Sequence, residues 1–192
     1  QAVRGCAEAR VARGELERAR IDIEVALEAQ QRLGDPIEEA EALRVVASIQ
    51  AAEGRLDEAE ATLVDVIVRA ESLEKLQLVA EATADLAQIL RRTHRHADAR
   101  DAGRAAHALF SRLGAEGELR KLASQDWEEE FAAELHRMLE PLHEAQGLAD
   151  RGRYADLLAY LGERPREELE QSPTLAVLCG IANARLGHLE VG

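Results

Sequence analysis

Residues 41–73 read EALRVVASIQAAEGRLDEAEATLVDVIVRAESL, and the interpretation of this stretch decides the fold. Leu43, Val46, Ala47 and Gln50 fall at spacings of three and four, as do Leu56, Ala59, Leu63, Val66 and Ile67. Such spacing gathers each set on one face of an α-helix. Between the two sets lies GRLD, residues 54–57, whose glycine can take the left-handed conformation that ends a helix. The stretch therefore predicts two amphipathic helices folded back on each other at Gly54.

The same pattern recurs forty residues upstream and forty downstream. Four columns hold at that spacing: Ala2, Ala42 and Ala82; Ala7, Ala47 and Ala87; Ala19, Ala59 and Ala99; Leu33, Leu73 and Leu113. A hairpin with one apolar face cannot bury it alone, so copies must stack. The expected fold class is all-α, an α-solenoid of stacked antiparallel helical hairpins. Alanine and leucine dominate the apolar 46% while aromatics make up only 3%, which suits close approach of helix backbones.

Working outward, residues 1–34 give a first hairpin breaking at Gly14. GDPIEE, residues 34–39, follows: Gly34 ends a helix, Asp35 caps the next, Pro36 suits its first turn and Glu38 stands in capping-box spacing. A third hairpin, Lys75 to Leu113, turns at THRH, with His94 in place of the glycine and His96 in place of the leucine. Gly103 and His107 replace apolar residues there, which predicts looser packing. Residues 114–140 read as a break in the period, followed by a helix that Asp126 would cap with Glu129 three residues on. Trp127 and Phe131 are one turn apart on it and are expected to cover the end of the preceding array, or else to form an interface. From Leu142 a further hairpin turns at Gly152, and Ser172 and Pro173 start a last helix with Gly180 at its middle and a turn at Gly187. The expected organisation is 1–117, three repeats of about 40 residues; 118–140, a linker or capping helix preceding a resumption near Met138, the only methionine; and 141–192, another hairpin plus an incomplete repeat.

A small residue in the middle of each first helix, a Gly-x-Leu turn and an alanine five residues after that glycine resemble the tetratricopeptide repeat (TPR) family, in its long-helix bacterial multi-repeat form. The family's period is about 34 residues, so a period of forty implies helices nearly one turn longer. Forty also lies within the range of HEAT and armadillo repeats, but the small-residue columns and the turn favour the tetratricopeptide resemblance. That resemblance implies a right-handed superhelix whose first helices line a groove for an extended or helical peptide. Carried over by position, the groove presents Arg4, Arg44, Ser48, Gln88, Arg91 and Arg92, beside Glu8, Glu41 and Glu81. The subclass that clamps a terminal carboxylate is not expected, because Glu8, Val45, Glu81 and Asp85 stand where it needs asparagine or a base.

Charge narrows the partners. With 37 acids against 24 bases and a net charge of −13, the chain repels phosphate backbones and anionic lipid, so neither nucleic acid nor membrane is expected. Residues 22–90 carry 16 acids and 5 bases, whereas 91–121 carry 8 bases, 4 acids and three histidines. That basic patch, Arg91, Arg92, Arg95, Arg100, Arg104, Arg112, Arg120 and Lys121, either receives an acidic partner or balances neighbouring repeats. His94, His96 and Asp98 alternate as metal ligands would on a strand, but they belong to a turn entering a helix and lack a fourth ligand. The acidic runs at 128–130 and 167–170 read as solvated helix faces rather than an acid–base pair. Cys6 and Cys179 have no metal or redox spacing and read as small buried hydrophobes. The expectation is a non-enzymatic cytoplasmic scaffold without cofactor or metal, binding a protein or peptide. Self-assembly and ligand sensing within a larger bacterial regulator are the alternatives.

Overall fold

The computed structural model describes residues 2–125, 127, 129–165, 169 and 172–187. Among them ten helices and no strands occur: α1 (Ala2–Ala12), α2 (Leu16–Leu33), α3 (Pro36–Ala52), α4 (Leu56–Ser72), α5 (Leu76–Arg92), α6 (His96–Leu113), α7 (Glu116–Ala123), α8 (Glu129–Asp150), α9 (Tyr154–Gly162) and α10 (Pro173–Leu186). The proposed cap Asp126 lies outside the described residues. No helix among them is long and apolar enough to cross a membrane. The chain divides into two compact units, residues 1–106 and 107–192, with the division inside α6.

In unit 1 the turns carry the repeat. Gly14, Gly54 and His94 all have positive φ, at +75°, +82° and +61°. At each of them the following amide donates to a carbonyl five residues back: Glu15 to Arg10 at 2.9 Å, Arg55 to Gln50 at 2.9 Å, Arg95 to Leu90 at 2.9 Å. This is the 6→1 bond of the Schellman motif. The junctions between hairpins use the same device: Gly34 and Glu74 have φ of +68° and +55°, with Asp35 donating to Gln30 and Lys75 to Ala70. Asp35 caps α3 as its sequence predicts, accepting from the amides of Ile37 and Glu38 at 3.1 Å each.

Each helix of α1 to α4 packs on its successor, and α3 also touches both α1 and α5. Two alanine columns, and the described members Ala42 and Ala82 of the third, form the seams between them. Ala7, Ala47 and Ala87, and Ala19, Ala59 and Ala99, are all at most 1% exposed, as are Ala42 and Ala82. On α4 the buried residues are Ala59, Leu63, Val66 and Ala70, the predicted stripe. α3 departs from its prediction: full burial falls on Ala40, Ala42, Val45, Ala47, Ile49 and Ala51, leaving Leu43, Val46 and Gln50 half-buried. A helix with neighbours α1, α2, α4 and α5 is covered on several sides, so one stripe does not describe it. The leucine column fails too. Leu33 and Leu113 are exposed, because the last residue of a second helix lies beyond the seam.

In unit 2, α7 starts at Glu116, forty residues after Leu76 and eighty after Pro36. It follows Gly114 at φ +65°, with Ala115 donating to Phe110 at 2.9 Å. The expected break at 114 therefore comes only after α7, and the polar composition of the segment had concealed the helix register. α7 packs on α8, α8 on α9 and α10, and α9 on α10. Buried Phe131, Leu135, Leu139, Leu142, Ala145 and Leu148 run along α8, which carries Pro141 in its interior. Trp127 is buried with its ring edge-on to Phe131, centroids 4.8 Å apart, and its indole N–H donates to the Leu122 carbonyl at 2.7 Å. These aromatics belong to the core of their own unit.

Candidate functional site

The six groove residues lie on α1, α3 and α5. Arg4 on α1 meets Glu41 of α3 at 2.5 Å, with Glu8 at 3.1 Å and Glu38 at 3.6 Å. Arg44 on α3 repeats this one hairpin later, meeting Glu81 at 3.0 Å and Asp85 at 2.9 Å on α5. Burial pulls the Arg44 pKa down, but Asp85 and Glu81 outweigh it and hold the group above its ordinary value. Both arginines are thus tied to carboxylates of the next first helix. In α5 the corresponding position is Ala84, so the ladder has no third rung there.

The remaining groove residues sit further along the same face. The Ser48 hydroxyl donates to the Arg44 carbonyl at 3.1 Å, and Gln88 Oε1 accepts from Arg91 at 2.9 Å. Ser48, Gln88 and Arg92 line a cavity of about 260 Å³ together with Asp85, Ala47 and Leu63. Arg92 is exposed and makes no hydrogen bond or ion pair among the described residues. The structure therefore brings Ser48, Gln88 and Arg92 together, places Arg91 on Gln88, and holds Arg4 and Arg44 in ion pairs. Asp85, 41 residues after Arg44, was the residue missed, and no repeated spacing marks it: the offset of 37 residues that relates Arg4 to Glu41 relates Arg44 to Glu81.

Inside each hairpin one polar position varies with the repeat. Arg10 pairs with Asp22 in the first; Thr62 donates to Gln50 at 2.9 Å in the second; Leu90 and Ala102 occupy those places in the third. The basic patch is largely occupied by its own chain. Arg95 meets Glu60 at 2.7 Å and Asp98 at 2.8 Å, Arg104 meets Asp101, Arg120 meets Glu116 and Lys121 meets Glu118. His94 and His96 stand edge to face at 5.9 Å, and no group of three or more metal-ligating side chains occurs among the described residues.

Both cysteines correct the expectation of burial: Cys6 is exposed and Cys179 half-buried, each without a disulfide. Cys6 precedes Ala7, and one residue around a helix turns a side chain by about 100°. The position beside a seam residue is therefore not itself in the seam. Comparison with protein-family models, with curated proteins and with solved structures returned no match to this chain.

Proposed function

We propose that the chain is a non-enzymatic, tetratricopeptide-like α-solenoid that serves as a cytoplasmic interaction module of a bacterial protein. On this reading the polar face of α1, α3 and α5 receives a protein or peptide segment. The observation that supports it is the shared cavity of Ser48, Gln88 and Arg92, on a face where Arg4 and Arg44 are already held by carboxylates. Arg92 offers a planar cation to an acidic side chain or carboxylate, while the Arg4 and Arg44 ladder keeps the first helices in register. Affinity on such a surface comes from a few anchored contacts within a larger area. Partners captured by crosslinking are identified, and their Kd is then measured against wild type, Arg92→Ala and Gln88→Ala. Losses of about tenfold or more in both variants, with Arg69→Ala on α4 unchanged, support the reading. Equal affinity in all four proteins, or no protein partner, refutes it.

Self-association is the second reading, and the exposed Val177 and Ile181 on one face of α10 favour it. Light scattering across a concentration series checks it: a monomer mass at every concentration disposes of it.

A further inference from the structure

Unit 2 contains a second cavity, of about 450 Å³. At the roughly 30 Å³ that a water molecule occupies in the liquid, it has the space of about 15 waters. That is within the range of small-molecule sites. Leu119, Met138, Leu139, Leu142 and Leu175 supply an apolar wall, continued by Pro141. The polar lining comes from the end of α6, with His107, Ser111 and Arg112, and from the start of α10, with Ser172 and Thr174.

The charges in this lining have one sign. Among the described lining residues Arg112 is the only formally charged side chain, and none is an acid. Among the described residues Arg112 makes no hydrogen bond or ion pair, whereas Arg95, Arg104 and Arg120 of the same basic stretch are each held by a carboxylate. The first turn of α10 adds the partial positive charge of a helix N-terminus. Ser172 caps one of its amides, that of Leu175, at 3.4 Å. His107, 6% exposed, forms part of the wall. Its Nδ1 lies 3.4 Å from the Ser111 hydroxyl, and its Nε2 has no hydrogen-bond partner among the described residues. Burial depresses the His107 pKa against the opposing field of Glu134, which favours the neutral imidazole and leaves Arg112 the one cation among the described lining residues.

We propose that this cavity binds a small amphipathic carboxylic acid, its apolar body against the leucines and its carboxylate on Arg112 and the first turn of α10. A neutral apolar molecule leaves Arg112 without a counter-charge, and a cation finds Arg112 and no carboxylate among the described lining residues. A sugar finds too few hydrogen-bonding groups on a wall of leucine, methionine and proline, and a phosphate dianion finds one base where it needs more. A monocarboxylate matches both the planar guanidinium and the apolar wall. The site is built from residues of unit 2 and the face of α1, α3 and α5 from residues of unit 1, so its failure leaves that reading untouched.

Octanoate and 4-phenylbutyrate are the probes, with octan-1-ol and octylammonium as matched controls, titrated by calorimetry and by heteronuclear NMR. Octanoate or phenylbutyrate is expected to bind saturably at one site per chain. The alcohol is expected to bind at least tenfold more weakly, and the ammonium not at all. Arg112→Ala and Ala108→Trp both change exposed lining residues, so they leave the helical circular dichroism intact and weaken the acid at least tenfold. The NMR shifts are expected at His107, Ser111 and Thr174. Absence of saturable acid binding, octanol binding as tightly as octanoate, or binding that neither variant weakens overturns the proposal.

Discussion

His94→Gly is expected to make the protein more stable. Among the described residues only Glu74 and His94 have positive φ without being glycine, and His94 stands where the two preceding hairpins carry Gly14 and Gly54. A side chain in the left-handed region costs roughly 1–2 kcal/mol. Glycine avoids that strain but gives the unfolded chain more freedom, worth about 0.4–1 kcal/mol. The two bonds that close the turn, His94 to Arg91 at 3.0 Å and Arg95 to Leu90 at 2.9 Å, are made by backbone and survive the change. The net gain is about 0.5–1 kcal/mol, a rise in Tm of about 1–4 °C for a chain of this size. Gly54→Ala is the reciprocal test. Nothing lies within 4 Å of the added methyl, so its expected loss of about 0.5–1 kcal/mol is conformational alone. Urea unfolding of both variants reads the midpoint with the slope unchanged. A neutral or destabilising His94→Gly, or a neutral Gly54→Ala, refutes the assignment of strain to this turn.

Three further outcomes follow from the geometry. Arg44→Ala leaves Glu81 and Asp85 facing each other across a partly exposed site and is expected to cost about 1–2 kcal/mol, between the surface and buried limits for ion pairs, with a smaller loss in 0.5 M salt, as denaturation at two ionic strengths will show. Asp35→Ala removes the acceptor of two helix-start amides and is expected to lower stability by about 1 kcal/mol, measured by chemical denaturation. Burial holds the folded-state pKa of His107 below the unfolded value near 6.5, so the unfolded chain binds the extra proton; the stability contribution of a neutral His107 is present above about pH 6.5 and lost as pH falls from there toward the folded pKa, and His107→Phe flattens the pH 7.5 to 5.5 difference in urea midpoint relative to wild type.

The elements were legible wherever local chemistry decides them. Gly14, Gly54 and Asp35 are punctuation that works within five residues, and the helix bounds follow from it. The alanine columns were legible because a repeated fold hides the same small residue in every copy. Contacts on more than one side of a helix were not. The single stripe assigned to α3 missed Val45 and Ile49, since burial there is set by neighbours from four helices. Arg4 and Arg44 lie on α1 and α3, yet apart from Glu8, one turn along α1, their carboxylate partners are 34, 37 or 41 residues away, beyond any helical periodicity. The cavity of unit 2 escaped for the same reason. It is assembled from α6, α7, α8 and α10, and no local pattern joins Arg112 to Thr174.

All of this rests on hairpins that close on alanine seams at a forty-residue spacing. Ala59→Leu against Ala61→Leu tests it on one helix: Ala59 is fully buried in the seam of α4, whereas Ala61, two residues on, is exposed. Equilibrium urea unfolding is expected to show a loss of about 1–3 kcal/mol for Ala59→Leu, from overpacking, and a change within about 0.5 kcal/mol for Ala61→Leu. Equal effects at the two positions, or a tolerated leucine at Ala59, would contradict the seam.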